Sequence, residues 1–282
     1  MKNKLLLISS LVSIALLQAC GGGGGGSGES ASASPTTASE PTTTSGNTPA
    51  SPPAASGNSG SVSAAFVAGS TPRYQLAGSG NQTFGRLEPF VQAPSGAMTT
   101  LGSTVLSGNS ATKDMAGDAT FAIGRWTAGT VTRSSGAETL TGTDDRAYHY
   151  VVVNAPSAFP ASGAKTCDAG AFTTPTYVSG GPGAAGAATA QGSAGLVFGA
   201  SGAAVTGAIN VTLAGASGSA TLNGTAASVT SVAITGAYLS GGAGAAVQIG
   251  EAGADAYLVV ATYVATLPNG ARYLGAAKFR CA

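Results

Sequence analysis

The residue types that most often serve as catalytic bases, nucleophiles or metal ligands are scarce, since the 282 residues include one histidine and three cysteines. A Ser-His-Asp arrangement would have to use His149. The nearest acidic residues, Asp144 and Asp145, stand in TGTDDRA, a segment typical of a solvated turn. The sequence contains no G-x-S-x-G nucleophile elbow, and one histidine with two distant cysteines makes a poor zinc site. We therefore expect no catalytic residue, no metal and no cofactor.

His149 stands between two tyrosines, and a tyrosine–histidine pair is a known ligand set for haem iron. The segment Tyr148-His149-Tyr150 has the composition of a β-strand, in which neighbouring side chains point to opposite faces. Only His149 alone, or the two tyrosines without it, could face a single ligand. We therefore interpret His149 as a strand residue on one face of a sheet.

A glycine-rich segment, Gly181-Pro182-Gly183-Ala184-Ala185-Gly186, matches the G-x-G-x-x-G pattern of dinucleotide-binding proteins. That pattern binds phosphate only when it follows a strand and opens a helix within a βαβ unit. Here it contains a proline, and no βαβ unit surrounds it. We interpret it as a loop.

The first 19 residues have the layout of a secretory signal peptide. Lys2 and Lys4 precede an apolar run over residues 5–17, which is shorter than the about 20 residues of a membrane-spanning helix. The next motif, Leu17-Gln18-Ala19-Cys20, resembles the lipobox of bacterial lipoproteins. The resemblance implies that the leader is cut before Cys20 and that Cys20 is lipidated, which anchors the chain to a membrane. Gly21 in place of the aspartate that retains such proteins in the inner membrane implies an outer-membrane address, on either face.

Residues 20–61 consist mainly of Gly, Ser, Ala, Thr and Pro and include no aromatic residue. A segment of this composition cannot bury enough apolar surface to offset its ordering entropy, so we expect a disordered linker. A flexible chain of this length reaches about 35 Å. The linker would hold a folded module clear of the lipid headgroups.

The charge and the cysteine content indicate which binding partners and which cellular compartment to expect. The chain carries 12 Lys and Arg against 11 Asp and Glu, and no basic stripe occurs, so nucleic acid is not an expected partner. If Cys20 carries lipid, Cys167 and Cys281 are the remaining pair. In an oxidising compartment they would form a disulfide, and the alternative is two free buried thiols.

The remaining sequence is patterned as many short strands. Val205, Ile209 and Val211 alternate with polar or small residues, which is the period-two pattern of a half-buried strand. Leu267-Pro268-Asn269-Gly270 separates two apolar segments and predicts a hairpin turn. The predicted strands span 119–127, 147–153, 195–199, 205–213, 219–224, 229–236, 246–250, 256–266 and 271–280. Short strands with glycine-rich connections predict a β-sandwich or β-barrel.

The order of motifs adds a family resemblance. GRW (124–126), YHYVVVNAPSAFPASGAKTC (148–167), GLVFGASGAAVTGAINVTL (195–213) and IGEAGADAYLVVATY (249–263) follow one another. This succession resembles the small β-barrel of transferrin-binding-protein-B-like surface lipoproteins. It implies an all-β fold with an antiparallel barrel of about eight strands over residues 117–282. Residues 62–116 would supply N-terminal strands packed on the barrel. In some members the family has a role in iron uptake, but none of their functional residues can be matched here.

The expected function is a non-catalytic, outer-membrane-anchored binding module for a protein or a small solute. The alternative is a structural envelope lipoprotein or adhesin-like spacer without a small ligand. A membrane-embedded barrel enzyme would need a lipid-facing apolar belt, and Thr206, Asn210 and Thr212 on one strand face argue against it. We expect recognition at the glycine- and alanine-rich connections, chiefly 178–194 and 239–245.

Overall fold

The computed structural model describes residues 57–78, 80–142, 146–183 and 186–282. The predicted signal peptide, Cys20 and most of the predicted linker lie outside the described residues. Within the described ranges the chain forms three β-sheets and one 3-10 helix, η1, at Tyr238–Ser240. No helix among these residues has the length and apolar character needed to cross a membrane.

The first nine strands form one sheet, called the N-terminal sheet. They are β1 (Gly60–Val62), β2 (Pro72–Gly78), β3 (Asn81–Arg86), β4 (Phe90–Gln92), β5 (Met98–Leu101), β6 (Thr104–Asp118), β7 (Phe121–Arg133), β8 (Gly136–Thr141) and β9 (Tyr148–Asn154). Hydrogen bonds order them β3-β2-β9-β7-β6-β5-β4, with β1 paired to β6 and β8 to β7. All of these pairs are antiparallel except β1–β6. One face of the sheet encloses an apolar core that includes Trp126, Tyr148 and Tyr150.

The remaining strands form two further sheets. The second sheet contains β10 (Gly163–Thr166), β13 (Thr189–Gly199), β14 (Gly202–Leu213), β15 (Ala216–Thr221) and β16 (Gly224–Ala226). The third sheet contains β11 (Ala171–Phe172), β12 (Thr176–Ser179), β17 (Ala233–Gly236), β18 (Gly244–Glu251), β19 (Tyr257–Thr266) and β20 (Arg272–Cys281). Every pair in both sheets is antiparallel.

The second and third sheets curl around one shared apolar core, so the predicted all-β antiparallel fold is confirmed, with the barrel formed by two curled sheets. On one side the sheets are joined where Cys167 pairs with Cys281, which also form the predicted disulfide. On the other side the Thr235 hydroxyl of β17 donates a hydrogen bond to the Thr221 carbonyl of β15. The disulfide closes a loop of 114 residues, a constraint worth about 4–5 kcal/mol in the chain-entropy model.

The third sheet is buried on both faces. In β19, Val259 and Tyr263 face the barrel core, whereas Leu258 and Val260 pack against the N-terminal sheet. A strand buried on both faces needs apolar residues at successive positions, which explains the nearly unbroken apolar run of the β19 sequence. The three sheets therefore stack in layers, with the third sheet in the middle.

The predicted strands match observed ones in position, although their ends shift. The predicted hairpin turn is also confirmed, because the Leu267 amide donates to the Ala271 carbonyl at 2.8 Å and the Gly270 amide donates to the Leu267 carbonyl at 2.9 Å. Gly270 has a φ of 83°, which a glycine adopts without strain.

Two expectations about segment boundaries differ from the structure. The expected boundary between residues 116 and 117 falls inside β6, because β6 and β7 form one long hairpin of the N-terminal sheet; the barrel strands begin at β10. The connection expected over 178–194 is shorter, since 178–179 belong to β12 and 189–194 to β13.

Candidate functional site

His149 lies on β9, on the face that packs against the third sheet, and it is fully buried. Its Nδ1 atom is 2.7 Å from the Thr173 hydroxyl and its Nε2 atom is 2.7 Å from the Thr176 hydroxyl. Thr173 in turn accepts a hydrogen bond from the Ala276 amide of β20 at 2.8 Å. The imidazole therefore links the N-terminal sheet to the 173–176 segment and, through Thr173, to β20.

The environment of His149 keeps its ring neutral. Burial lowers the pKa of His149 well below its ordinary value, and the positive charge of Arg125, its cross-strand neighbour on β7, lowers it further. Arg125 is held by Asp114 at 2.9 Å. A neutral imidazole has one donor and one acceptor nitrogen, and the two threonine hydroxyls satisfy both.

The two tyrosines that flank His149 point to the opposite face, as the strand pattern requires. Tyr148 donates to Glu138 at 2.5 Å, and the Tyr150 hydroxyl accepts a hydrogen bond from the Met98 amide at 3.3 Å. The three side chains therefore do not converge on one ligand. Among the described residues, no group of three or more His, Cys, Asp or Glu side chains could hold a metal ion.

A cavity of about 480 Å³ lies where the β2–β3 turn, β12, η1 and the adjoining parts of β19 and β20 meet. Its volume is in the range of small-molecule binding sites. The cavity is lined by Gly78, Gly80, Gln82, Val178, Ser179, Tyr238, Leu239, Gly241, Val264, Arg272 and Leu274. We call it the Arg272 cavity, because Arg272 is the charged residue in this lining.

Arg272 is the first residue of β20 and is fixed from two sides. Its Nη1 atom donates to the Ser179 hydroxyl at 2.9 Å, and its Nη2 atom donates to the Gly242 carbonyl at 3.3 Å. Its Nε atom is buried without a hydrogen-bond partner, and no carboxylate of the described residues forms an ion pair with it. The guanidinium thus keeps donors that the described chain does not use.

The walls of the cavity also contain aliphatic side chains, which give it an apolar surface. Val264 and Leu274 are buried in a small apolar cluster between the N-terminal and third sheets. Leu239 lines the cavity while 58% of its surface remains exposed. The cavity therefore combines an apolar wall with a single cation.

Tyr238 forms a rigid part of the lining. Its hydroxyl lies 2.8 Å from the Thr262 hydroxyl, and the Gln75 side chain accepts a hydrogen bond from the Thr262 amide at 2.9 Å. Burial raises the pKa of Tyr238 to about 12, so the phenol stays neutral at physiological pH. The ring presents a fixed, uncharged surface.

Two smaller cavities have no charged residue in their lining. One of about 290 Å³ lies beside β7 and β8, and one of about 380 Å³ lies on the outer face of β13 and β14. The Arg272 cavity is therefore the strongest candidate site among these three.

Sequence reasoning located the region of this site only in part. The predicted recognition segments, 178–194 and 239–245, contribute Val178, Ser179, Leu239 and Gly241 to the lining. The sequence patterns assigned no role to Arg272. Gly78 and Arg272 are far apart in sequence, and only the packing of the N-terminal sheet against the third sheet brings them to one cavity.

Comparison with known proteins adds no relative, because no protein family, curated protein or solved structure matches the chain.

Proposed function

We propose that this chain is a non-catalytic, lipid-anchored protein of the bacterial outer membrane that binds a small solute in the Arg272 cavity. The observation that carries the proposal is the cavity itself, which combines aliphatic walls with an arginine that lacks a carboxylate partner among the described residues. A buried or half-buried cation without a counter-charge loses solvation and regains stability when an anion or polar ligand binds.

The anchoring part of the proposal is supported by sequence alone. The predicted signal peptide, the Leu17 to Cys20 motif and the glycine-rich segment after it are the features of a lipoprotein whose folded part stands away from the bilayer. Membership of the transferrin-binding-protein-B-like lipoproteins, and any role in iron uptake, likewise rest on the sequence motifs.

We also propose that the protein catalyses no reaction on the solute. His149, the single histidine, is buried with both ring nitrogens occupied, and it does not line the Arg272 cavity. The titratable side chains of the lining are the Arg272 guanidinium, which serves as a cation, and Tyr238, whose raised pKa keeps its phenol neutral, so the lining offers no acid–base pair for proton exchange with a substrate near neutral pH. Capture of a solute needs only shape, apolar contact and charge.

The direct test is a ligand-observed NMR screen of small anionic, neutral and cationic solutes. It compares the wild-type protein with Leu239→Trp, which adds bulk at the exposed wall of the cavity. Val197→Trp is the matched control, because Val197 is an exposed residue of β13 (47% exposed) that does not line this cavity. We expect saturation transfer to at least one solute that disappears in Leu239→Trp and persists in Val197→Trp. Identical spectra for all three proteins would refute solute binding in the cavity and favour the structural-spacer alternative.

A further inference from the structure

The charges around the Arg272 cavity restrict the ligand more than its volume does. Five other cations of the described chain are paired with carboxylates, whereas Arg73, Lys113, Lys165 and Arg280 form no ion pair with a described carboxylate and do not line this cavity. The pairs are Arg86–Glu88, Arg125–Asp114, Arg133–Glu138, Arg146–Glu138 and Lys278–Asp168. Arg272 forms no such pair, and its cavity is lined by no Asp or Glu. A ligand that brings one negative charge would balance the site.

The donors of Arg272 that stay free suit a planar anion. A guanidinium has five N–H donors, and Ser179 and the Gly242 carbonyl engage one each. The remaining donors include the buried Nε–H. Arginine binds carboxylates through two parallel N–H···O bonds, a geometry that the ammonium group of lysine cannot reproduce.

The number of positive charges excludes strongly charged ligands. A phosphate monoester carries a charge of about −1.5 to −2 at neutral pH, and sites for it recruit several donors or cations. The Arg272 cavity offers one cation. A monocarboxylate matches that charge, whereas a phosphate ester would bring excess negative charge into a partly apolar space.

The rest of the lining fits a hydrocarbon body. Val178, Leu239, Val264 and Leu274 provide apolar surface in the same cavity as the guanidinium, and the burial of methylene groups against them favours binding. Because Tyr238 is neutral and its hydroxyl is directed to Thr262, it adds an aromatic surface without a second charge.

We infer that the Arg272 cavity binds an amphipathic monocarboxylate, with the carboxylate on the free donors of Arg272 and the hydrocarbon body against the aliphatic wall. This inference rests on the proposed function, because it names the class of solute for the same cavity.

Calorimetric titration with three probes of equal chain length tests the ligand class. They are octanoate, octanol and octylamine, which are anionic, neutral and cationic near neutral pH. We expect the wild-type protein to bind octanoate at least about tenfold more tightly than octanol, which is the order of one charged hydrogen bond, and to bind octylamine more weakly still. Equal affinity for octanoate and octanol would overturn the inference.

Variants of β20 test the residue. Arg272→Met should weaken octanoate binding by about tenfold or more, and Arg272→Lys should give an intermediate loss because it keeps the charge without the fork of donors. Arg280→Met is the matched control. Arg280 lies on the same strand, donates to the Ala252 carbonyl at 2.7 Å and does not line the cavity, so its loss should leave octanoate affinity unchanged. If Arg272→Met alters the thermal unfolding profile, Arg272→Gln, which keeps a polar side chain, replaces it.

The outcomes separate this inference from the proposed function. If Leu239→Trp removes octanoate binding but Arg272→Met and Arg272→Gln do not, the cavity binds solutes and the monocarboxylate assignment is wrong. If no solute of any charge depends on Leu239, both the assignment and the proposed function fail.

Discussion

At the scale of single residues, His149 shows how this chain uses its one imidazole as a structural link. The ring is buried between two sheets, and its two nitrogens contact hydroxyls of Thr173 and Thr176. Charging the ring would place a cation beside Arg125 in a fully buried site. Because the folded chain keeps the ring neutral, the stability of the fold should depend on pH.

We therefore predict that the free energy of unfolding falls as the pH is lowered from about 7.5 to 5.5. The pKa of His149 in the folded chain lies below its unfolded value near 6.5, so in this window the unfolded chain takes up a proton that the folded chain does not. The free energy of unfolding should be highest at pH values above the pKa of His149 in the unfolded chain. Below that pKa it should decline, with a slope that approaches about 1.4 kcal/mol per pH unit. Urea denaturation at several pH values measures it.

The control is His149→Gln, which keeps a polar side chain and removes the titrating group. Since the sequence contains one histidine, the slope between these pH values should flatten in this variant. An unchanged slope in His149→Gln would show that another group causes the pH dependence.

At the scale of strands and sheets, the close approach of β15 to the end of β19 depends on a glycine. A Cβ atom at Gly218 would overlap the carbonyl oxygen of Thr266 and lie 2.7 Å from its carbonyl carbon. These are backbone atoms of the neighbouring sheet, which cannot rotate away. The spacing of the second and third sheets on this side of the barrel therefore requires a residue without a side chain.

Gly218→Ala should lower the free energy of unfolding by about 1–3 kcal/mol, the usual cost of overpacking a tight contact. Gly199→Ala is the matched control, because no heavy atom lies within 4 Å of the position that its Cβ would take. It should change stability by no more than about 0.5 kcal/mol. Urea denaturation measures the free energy of unfolding of the two variants. Equal decreases in both would mean that the barrel adjusts to a side chain at position 218.

The sequence predicted strands and turns well where their pattern depends on neighbouring residues. The alternation of Val205, Ile209 and Val211 and the turn at Asn269-Gly270 depend on neighbouring residues, and both lie in observed strands or turns. The expected boundary between residues 116 and 117 does not coincide with the end of a strand, because β6 continues to Asp118 and pairs with β7 in one hairpin.

Local sequence patterns could not predict the Arg272 cavity either. Its walls come from β2–β3, β12, η1 and β19–β20, which are distant in sequence, and no local pattern marks Arg272 as different from Lys278 or Arg280. The difference between them is that Lys278 has a carboxylate partner and Arg280 lies outside the cavity. That distinction exists only in the folded chain.

At the scale of the whole molecule, a folded module follows a membrane anchor that the sequence alone predicts. Exchanging Cys20 for serine removes the thiol that the lipobox resemblance assigns to diacylglycerol, so Cys20→Ser should be released from membranes and should not incorporate labelled palmitate. Cell fractionation with palmitate labelling measures both effects. Cys167→Ser is the control, since Cys167 is bonded to Cys281 and should not affect labelling. Membrane-bound, labelled Cys20→Ser would refute the anchor.

We propose that the folded module holds a small solute in the Arg272 cavity, and a crystal structure of the protein with the tightest-binding solute from the NMR screen would show where that solute lies. We predict that the solute lies among Val178, Tyr238, Leu239 and Arg272, with its polar or charged end toward the guanidinium. A solute bound at saturation anywhere else on the protein, with this cavity empty, would contradict binding in the Arg272 cavity.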